Sequence, residues 1–126
     1  MIEALFNEPN YVAAKKTLDA VALRQEAIAT NIANLETPGY KRIDLAPSFR
    51  NELDRACASN DPRQIEAIKP SLAVDTNAVA SSQDGNTVNL ENEMMQLNQN
   101  VMTHMLETQM VSTELYRLKM AITGKS

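Results

Sequence analysis

The sequence has no tryptophan and only one cysteine, one histidine, three glycines and five prolines among its 126 residues. The single cysteine, Cys57, excludes an internal disulfide and a cysteine-based zinc site, so we expect an inert, partly buried thiol. With two Phe and three Tyr beside many aliphatic residues, the composition favours packed helices over a β-barrel or β-sandwich. A chain of this length forms at most one modest domain.

The chain has no strong net charge of either sign. The net charge is −4, from 12 basic and 16 acidic residues, and the missing basic patch argues against nucleic acid as a partner. The sequence also contains no apolar run long enough to cross a membrane. Its first residues, Met-Ile-Glu-Ala-Leu-Phe, have neither the basic start nor the apolar stretch of a secretory signal. Composition alone therefore favours a cytosolic protein.

What is present is a stripe of apolar residues near the N-terminus, spaced alternately by three and four positions. This spacing is typical of a helix in a coiled coil. Asn7, Glu8 and Pro9 are signals for a helix start. Gln25 interrupts the stripe, either as a register device or as an exposed position. The stripe consists of Tyr11, Ala14, Leu18, Val21, Gln25, Ile28, Ile32 and Leu35.

A second stripe with the same spacing predicts a long C-terminal helix, with Asn89 as its N-cap and Gly124 as its end. The stripe consists of Leu90, Met94, Leu97, Val101, His104, Thr108, Val111, Leu115, Leu118 and Ile122. It is flanked by Met95, Met102, Met105 and Met110. These methionines indicate more than one packing partner, the alternative being that they fill gaps in an ordinary monomer core.

Between the helices, the run Thr37-Pro38-Gly39-Tyr40 predicts a turn. Proline cannot continue the helix, so the chain must leave it near Glu36, and Gly39 can adopt the positive φ that the third position of a type II turn requires. The following residues are poor in apolar side chains, and we expect an ordered or half-ordered excursion without a core of its own. It holds a short helix over 48–58 and an extended stretch within 64–74.

These patterns predict an all-α fold in which two long terminal helices form a coiled-coil-like pair around an irregular middle segment. The predicted division is 1–40 for the N-terminal helix and turn, 41–87 for the middle segment and 88–126 for the C-terminal helix.

The N-terminal helix end and the turn carry the pattern Asn-x-x-Asn-x-x-Thr-Pro-Gly-Tyr-Lys. Its residues are Asn31, Asn34, Thr37, Pro38, Gly39, Tyr40 and Lys41. The pattern resembles the signature near the N-terminus of bacterial flagellar rod and hook proteins. The C-terminal helix, the preceding residues 84–91 and the small middle segment are similar to a proximal-rod member of that family. Relatives commonly have aspartate where this chain has Asn89, and larger members carry inserted domains.

The resemblance implies a structural subunit of the proximal flagellar basal-body rod, which transmits torque and lines the export channel. It implies export without a cleavable signal peptide, through the flagellum's own type III apparatus, into the periplasmic rod. The implied partners are copies of itself, other rod proteins in a helical assembly, the rod-to-ring adaptor, and the membrane ring or export gate. The alternative is a cytosolic coiled-coil adaptor or flagellar export chaperone, which explains the stripes but not the turn.

Catalytic motifs are not found: the sequence has no Gly-x-Ser-x-Gly elbow, phosphate-binding loop or paired-carboxylate motif. We therefore expect no enzymatic activity, no cofactor and no small-molecule substrate. His104 has only Glu107 as a nearby acid, which favours a packing residue over a metal ligand.

We predict instead a subunit interface. Its residues are Leu18, Val21, Ile28, Asn31, Ile32, Asn34, Leu35, Thr37, Pro38, Gly39, Tyr40, Leu90, Met94, Leu97, Val101, Val111, Leu115, Leu118 and Ile122. Within this set, the amides of Asn31 and Asn34 either bond across the subunit boundary and fix register, or satisfy carbonyls at their own helix end.

Overall fold

The computed structural model describes residues 8–124 and is mostly helical. In chain order the elements are α1 (Pro9–Ala33), β1 (Ile43–Leu45), α2 (Ser48–Ser59), α3 (Pro62–Glu66), β2 (Leu72–Val74) and α4 (Leu90–Thr123). The two strands have three residues each. The prediction of an all-α fold with long N- and C-terminal helices is therefore confirmed.

Helix α1 begins where the sequence predicts. The carboxylate of Glu8 accepts a hydrogen bond from the backbone N–H of Tyr11 at 3.2 Å, and Pro9 occupies the first helical position. Proline fits there because that N–H has no helical partner. The other predicted start signal, Asn7, lies outside the described residues.

The same helix ends earlier than predicted, at Ala33 rather than near Glu36. The side-chain amide of Asn34 donates to the carbonyl of Thr30 at 2.8 Å. Asparagine side chains compete in this way with backbone hydrogen bonds, and they favour helix ends. The chain therefore leaves α1 through three further residues before it reaches the predicted turn.

Helix α4 has both of its predicted caps. The side chain of Asn89 accepts the backbone N–H of Asn92 at 3.1 Å, and Gly124 ends the helix with a φ of +66°. With 34 residues, α4 is about 51 Å long. No helix among residues 8–124 combines the length and the apolar character that spanning a membrane requires.

The middle segment is more regular than predicted. Strands β1 and β2 pair antiparallel, with Asp44 opposite Ala73. Helix α2 confirms the predicted short helix, and β2 lies within the predicted extended stretch. The segment shares its core with the N-terminal half of α1. That core consists of Val12, Ala20, Phe49, Ala56, Ile65 and Ile68.

Helices α1 and α4 run antiparallel. Asn31 near the end of α1 contacts Glu93 near the start of α4. Val21, earlier in α1, contacts Asn100, which lies later in α4. Only part of the apolar stripe of α4 is buried. Its exposed members are Leu90, Met94, Val101, Leu115 and Ile122. The flanking methionines named above are exposed as well, so the reading in which they fill a monomer core is wrong.

Candidate assembly site

The predicted turn follows α1 after a short connection. The backbone N–H of Tyr40 donates to the carbonyl of Thr37 at 3.2 Å, and Gly39 has a φ of +71°. With Pro38 at the second position, this is the type II turn that the sequence predicts. Thr37, Pro38 and Gly39 are exposed, so the outer edge of the turn is accessible to another molecule.

The side chain of Asn86 holds the inner edge of this connection. Its amide nitrogen lies 2.9, 3.0 and 2.8 Å from the carbonyl oxygens of Asn34, Leu35 and Thr37. Its own carbonyl oxygen accepts the backbone N–H of Val88 at 2.7 Å. These three carbonyls lie just after the end of α1, and a buried asparagine from a distant part of the chain holds them together.

Further hydrogen bonds join the turn to the residues before α4. The backbone N–H of Thr87 donates to the carbonyl of Tyr40 at 3.0 Å, and the Thr87 hydroxyl accepts the backbone N–H of Arg42 at 2.8 Å. The ammonium of Lys41 donates to the carbonyl of Gly85 at 2.8 Å. The two segments on which the family resemblance depends, 31–41 and 84–91, are thus hydrogen-bonded to each other within one chain.

Asn31 is fully buried at the centre of this junction. Its amide nitrogen donates to the carbonyl of Ile43 at 2.8 Å and to the carboxylate of Glu93 at 3.2 Å. Its oxygen accepts the backbone N–H of Ile43 at 2.9 Å and the hydroxyl of Tyr40 at 3.1 Å. An amide side chain offers two donors and two acceptor positions, so Asn31 uses its whole capacity inside the chain.

The guanidinium of Arg42 bonds to three carboxylates that come from three parts of the fold. It donates to Glu93 at 2.8 Å, to Asp75 at 2.5 Å and to Asp44 at 3.2 Å. Burial opposes its charged form, but the hydrogen bonds to Glu93 and Asp75 outweigh that effect and raise the pKa of Arg42. Arg24 of α1 also donates to Asp44, at 3.0 Å. These residues tie α1, β1, the end of β2 and α4 together.

The junction is saturated with internal bonds. Among residues 8–124, no buried side-chain nitrogen or oxygen lacks a hydrogen-bond partner. In the same part of the chain, no three histidine, cysteine, aspartate or glutamate side chains are arranged to hold a metal ion. Burial, with the nearby charge of Glu93, raises the pKa of the Tyr40 hydroxyl, which keeps it a hydrogen-bond donor at neutral pH. Chemically, the arrangement is suited to joining elements of the fold.

The surface of α4 away from α1 has a different character. Met102, Met105 and Leu106 are exposed by 63%, 65% and 69%. Between Glu93 and Glu114, the only charged residue is Glu107. Apolar, methionine-rich and charge-poor surfaces are typical of the cores of protein interfaces, and a helix that is apolar on most sides is normally enclosed by other protein. We call this surface the outer face of α4; it consists of Leu90, Met94, Met95, Val101, Met102, Met105, Leu106, Met110, Leu115, Tyr116 and Ile122.

The predicted interface residues divide into three groups in the single chain. The exposed residues are Thr37, Pro38, Gly39, Leu90, Met94, Val101, Leu115 and Ile122. The half-buried residues are Leu18, Ile32, Asn34, Leu35, Tyr40, Leu97 and Val111. The buried residues are Val21, Ile28, Asn31 and Leu118. Their role between subunits stays a prediction. Of the two readings of the asparagines, Asn34 follows the one in which the amide satisfies its own helix.

Two smaller expectations are wrong. Cys57, expected to be partly buried, is exposed on α2. His104, expected to be a hydrogen-bonded packing residue, is exposed on α4. Both residues lie on helix faces that the neighbouring elements leave uncovered, which a stripe pattern alone does not reveal.

Sequence reasoning missed most of the polar residues that build the junction. The missed residues are Arg24, Arg42, Asp44, Asp75, Asn86, Glu93 and Asn100. A signal for some of them is present, because polar residues recur at intervals of seven along α4. These are Glu93, Asn100, Glu107 and Glu114, and each is buried or half-buried. Heptad spacing places these four residues along one side of the helix, beside the apolar stripe.

Comparison with known proteins agrees with this geometry. The profile of the family described as "Flagella basal body rod protein" matches residues 13–41. The chain is 34% identical to the flagellar basal body rod protein FlgB of Borrelia hermsii, over 75% of this chain and 82% of that protein. It is 31% identical to FlgB of Bacillus subtilis, over 87% and 90% of the two chains. It is 28% identical to FlgB of Buchnera aphidicola, over 95% and 100%. The chain therefore belongs to the FlgB family of flagellar basal body rod proteins.

Proposed function

We propose that this chain is a structural subunit, without enzymatic activity, of the proximal flagellar rod, where it packs against copies of itself and other rod proteins. The observation that carries the proposal is the outer face of α4, whose residues are apolar and left uncovered by the described part of the chain, with Glu107 as the only charged residue between Glu93 and Glu114. In a helical assembly, neighbouring subunits cover this face. Subunits interlocked in this way transmit torque and leave an axial channel for export.

The wider setting also belongs to the proposal. The subunit reaches the periplasmic rod through the type III export apparatus, without a cleavable signal peptide. Its neighbours there include the rod-to-ring adaptor and the membrane ring or export gate. Residues 1–40 and 88–126 form the assembling part, and residues 41–87 form a middle segment that packs against α1.

The junction supports this function by fixing what the subunit presents. The exposed residues of the turn and the outer face of α4 contact other subunits. Buried members of the predicted interface, such as Asn31 and Ile28, hold those surfaces in place from within the chain. A saturated polar junction keeps this arrangement the same in every copy, which a regular assembly requires.

Fractionation tests the proposal against its rival. An epitope-tagged chain is expressed in its own bacterium, and basal bodies are extracted with detergent. A rod subunit copurifies with the basal bodies. If the chain stays wholly in the soluble fraction, it is an adaptor or export chaperone and the proposal is wrong.

A charge placed on the outer face of α4 gives a sharper test. Met102→Lys is expected to leave the stability of the free chain within about 0.5 kcal/mol, because the residue is exposed. It is expected to abolish incorporation into basal bodies, since a lysine buried among apolar residues is costly. The control is Asn51→Lys on the exposed side of α2, which is expected to incorporate normally. Equal incorporation of both variants would contradict the proposed role of this face.

A further inference from the structure

Helix α4 faces α1 with a side of mixed character, on which Leu97 and Val111 of the apolar stripe are half-buried and Leu118 is buried, next to a line of polar residues. The inward line consists of Glu93, Asn100, Glu107 and Glu114. Beside this line runs the apolar stripe, and its member Val101 is exposed by 47%. Since an α-helix has 3.6 residues per turn, Val101 lies about 100° around the helix from Asn100. The side that a single chain would gain most by burying is therefore turned away from α1.

The hydrophobic effect alone favours a different orientation. A rotation of α4 about its own axis, by less than a third of a turn, would carry Val101 and Met94 towards α1 and carry Asn100 outwards. Burial of apolar surface is favourable and non-directional, so it does not by itself select the observed orientation over one that buries Val101 and Met94. Specific polar contacts must select it.

Two buried residues of α4 make such contacts. The amide nitrogen of Asn100 donates to the backbone carbonyl of Val21 at 3.0 Å and to the side-chain oxygen of Gln25 at 3.1 Å. The carboxylate of Glu93 accepts from Asn31 and Arg42, as described above. Buried polar groups require partners, and a rotation of α4 would separate both residues from theirs.

We propose that Asn100, together with Glu93, is a positioning residue that holds α4 in one rotational state, with its apolar outer face directed away from α1 towards neighbouring subunits. Buried polar residues select one packing arrangement in coiled coils at some cost in stability. Here they prevent the exposed part of the apolar stripe from being buried against α1 within the single chain. The inference rests on the proposed function, because it assumes that other subunits use the exposed face.

Asn100→Leu is the cleanest variant for a test. It leaves no buried polar group without a partner, because the Val21 carbonyl retains its bond within the helix and the exposed Gln25 can bond to water. With leucine at this position, the α1-facing side of α4 between Glu93 and Glu107 no longer loses hydrogen bonds when the helix rotates. The variant is expected to fold with a thermal midpoint equal to or above that of the wild type.

Rotation is measured with single cysteine reporters in a Cys57→Ser background. Val101→Cys reports one flank of α4, and Thr103→Cys reports the other flank. In the free chain, Asn100→Leu is expected to slow the labelling of the Val101→Cys reporter by a thiol reagent several-fold, and to speed the labelling of the Thr103→Cys reporter. Opposite changes on the two flanks indicate rotation, whereas loss of packing speeds both.

The matched control is Asn98→Leu, which adds the same side chain to an exposed position of the same helix. It is expected to change neither labelling rate. Asn100→Ala removes the same two hydrogen bonds and offers α1 little apolar surface at position 100, so it is expected to shift the rates in the same directions by at least as much. If both flanks of both Asn100 variants label at the control rate, or if both label faster, Asn100 does not set the rotation and the inference is overturned.

Assembly supplies the second readout. The Asn100→Leu chain, without reporters, is expected to incorporate into basal bodies several-fold less than the wild type although it is at least as stable. Incorporation at the wild-type level would overturn the inference while leaving the proposed function intact. Absence of the wild-type chain itself from basal bodies would instead contradict the proposed function.

Discussion

Two asparagines three positions apart, Asn31 and Asn34, have different roles although both belong to the same sequence pattern. Asn31 bonds to the backbone around β1, to the turn and to α4. The side chain of Asn34 bonds to nearby residues, donating to the Thr30 carbonyl and accepting from the Thr37 hydroxyl. The first residue joins distant elements, and the second shapes a helix end.

This difference predicts unequal costs of substitution. Asn31→Ala leaves the buried Glu93 carboxylate and the Ile43 backbone short of partners, so we expect the free energy of unfolding to fall by about 2–4 kcal/mol. Asn34→Ala removes one local cap and is expected to cost about 1 kcal/mol or less. Urea unfolding of the purified variants measures both values. Equal losses would show that Asn31 is no more central than its neighbour.

Glu107 lies on the inward line of α4, where burial raises the pKa of its carboxyl group. The folded chain therefore holds this proton more tightly than the unfolded chain. The resulting stability is full below the ordinary carboxyl pKa of about 4.3, and it is lost as the pH rises through the folded-state value.

Glu107→Gln should accordingly melt at a higher temperature than the wild type at pH 7, because it avoids burying a charge, and at about the same temperature near pH 4. Thermal unfolding followed by circular dichroism at the two pH values measures the difference. Glu52→Gln, at an exposed position on α2, serves as the control. A melting difference that is the same at both pH values would contradict this role of the Glu107 charge.

At the scale of elements, local signals were sufficient for the starts of the two long helices, the end of α4 and the turn, but they placed the end of α1 about three residues too late. Asn89, Gly124 and the Pro38-Gly39 pair act within a few residues of themselves, so their effects can be predicted from sequence. The rotation of α4 could not be predicted in this way. It depends on pairs such as Asn31 with Glu93, which lie 62 positions apart. The apolar stripe pointed to the side of α4 that other subunits are proposed to cover, rather than to the side that faces α1.

The connection between α1 and the turn depends on an equally distant residue, Asn86. Asn86→Ala should leave both long helices intact but loosen the turn, because three carbonyls lose their shared partner. We expect faster hydrogen exchange at the backbone amides of Thr87 and Val88, measured by NMR. The exposed Asn51→Ala variant on α2 should show wild-type exchange at these positions. Unchanged protection in Asn86→Ala would mean that the surrounding backbone bonds hold the turn without it.

At the scale of the whole molecule, the buried polar side chains of the described residues have hydrogen-bond partners, whereas many large apolar side chains on the outside of α4 are left uncovered. The polar junction and the shared core of α1 with the middle segment are complete within one chain. The outer face of α4 exposes eleven large apolar side chains on one helix, and extensive exposed apolar surface is characteristic of protein interaction sites. The interior thus stabilises the single chain, and the outer face of α4 is suited to contacts with other molecules.

The free chain should therefore self-associate as its concentration rises. Sedimentation velocity over a dilution series is expected to show growing average mass for the wild type, while the double variant Met102→Lys with Leu106→Lys remains monomeric. A matched pair of lysines on exposed, uncharged positions of α2, Asn51→Lys with Ala58→Lys, should associate like the wild type. A wild-type chain that stays monomeric at every concentration would show that its neighbours must be other proteins.

Thr87 forms hydrogen bonds with Arg42 and Tyr40. These bonds determine where an insertion can lengthen a chain of this kind. They bring the two ends of the middle segment to the same place, so the segment leaves the junction and returns to it at one point. Any compact module whose termini lie close together can be grafted there without separating α1 from α4. The same pair of long helices can thus carry inserted segments of very different size.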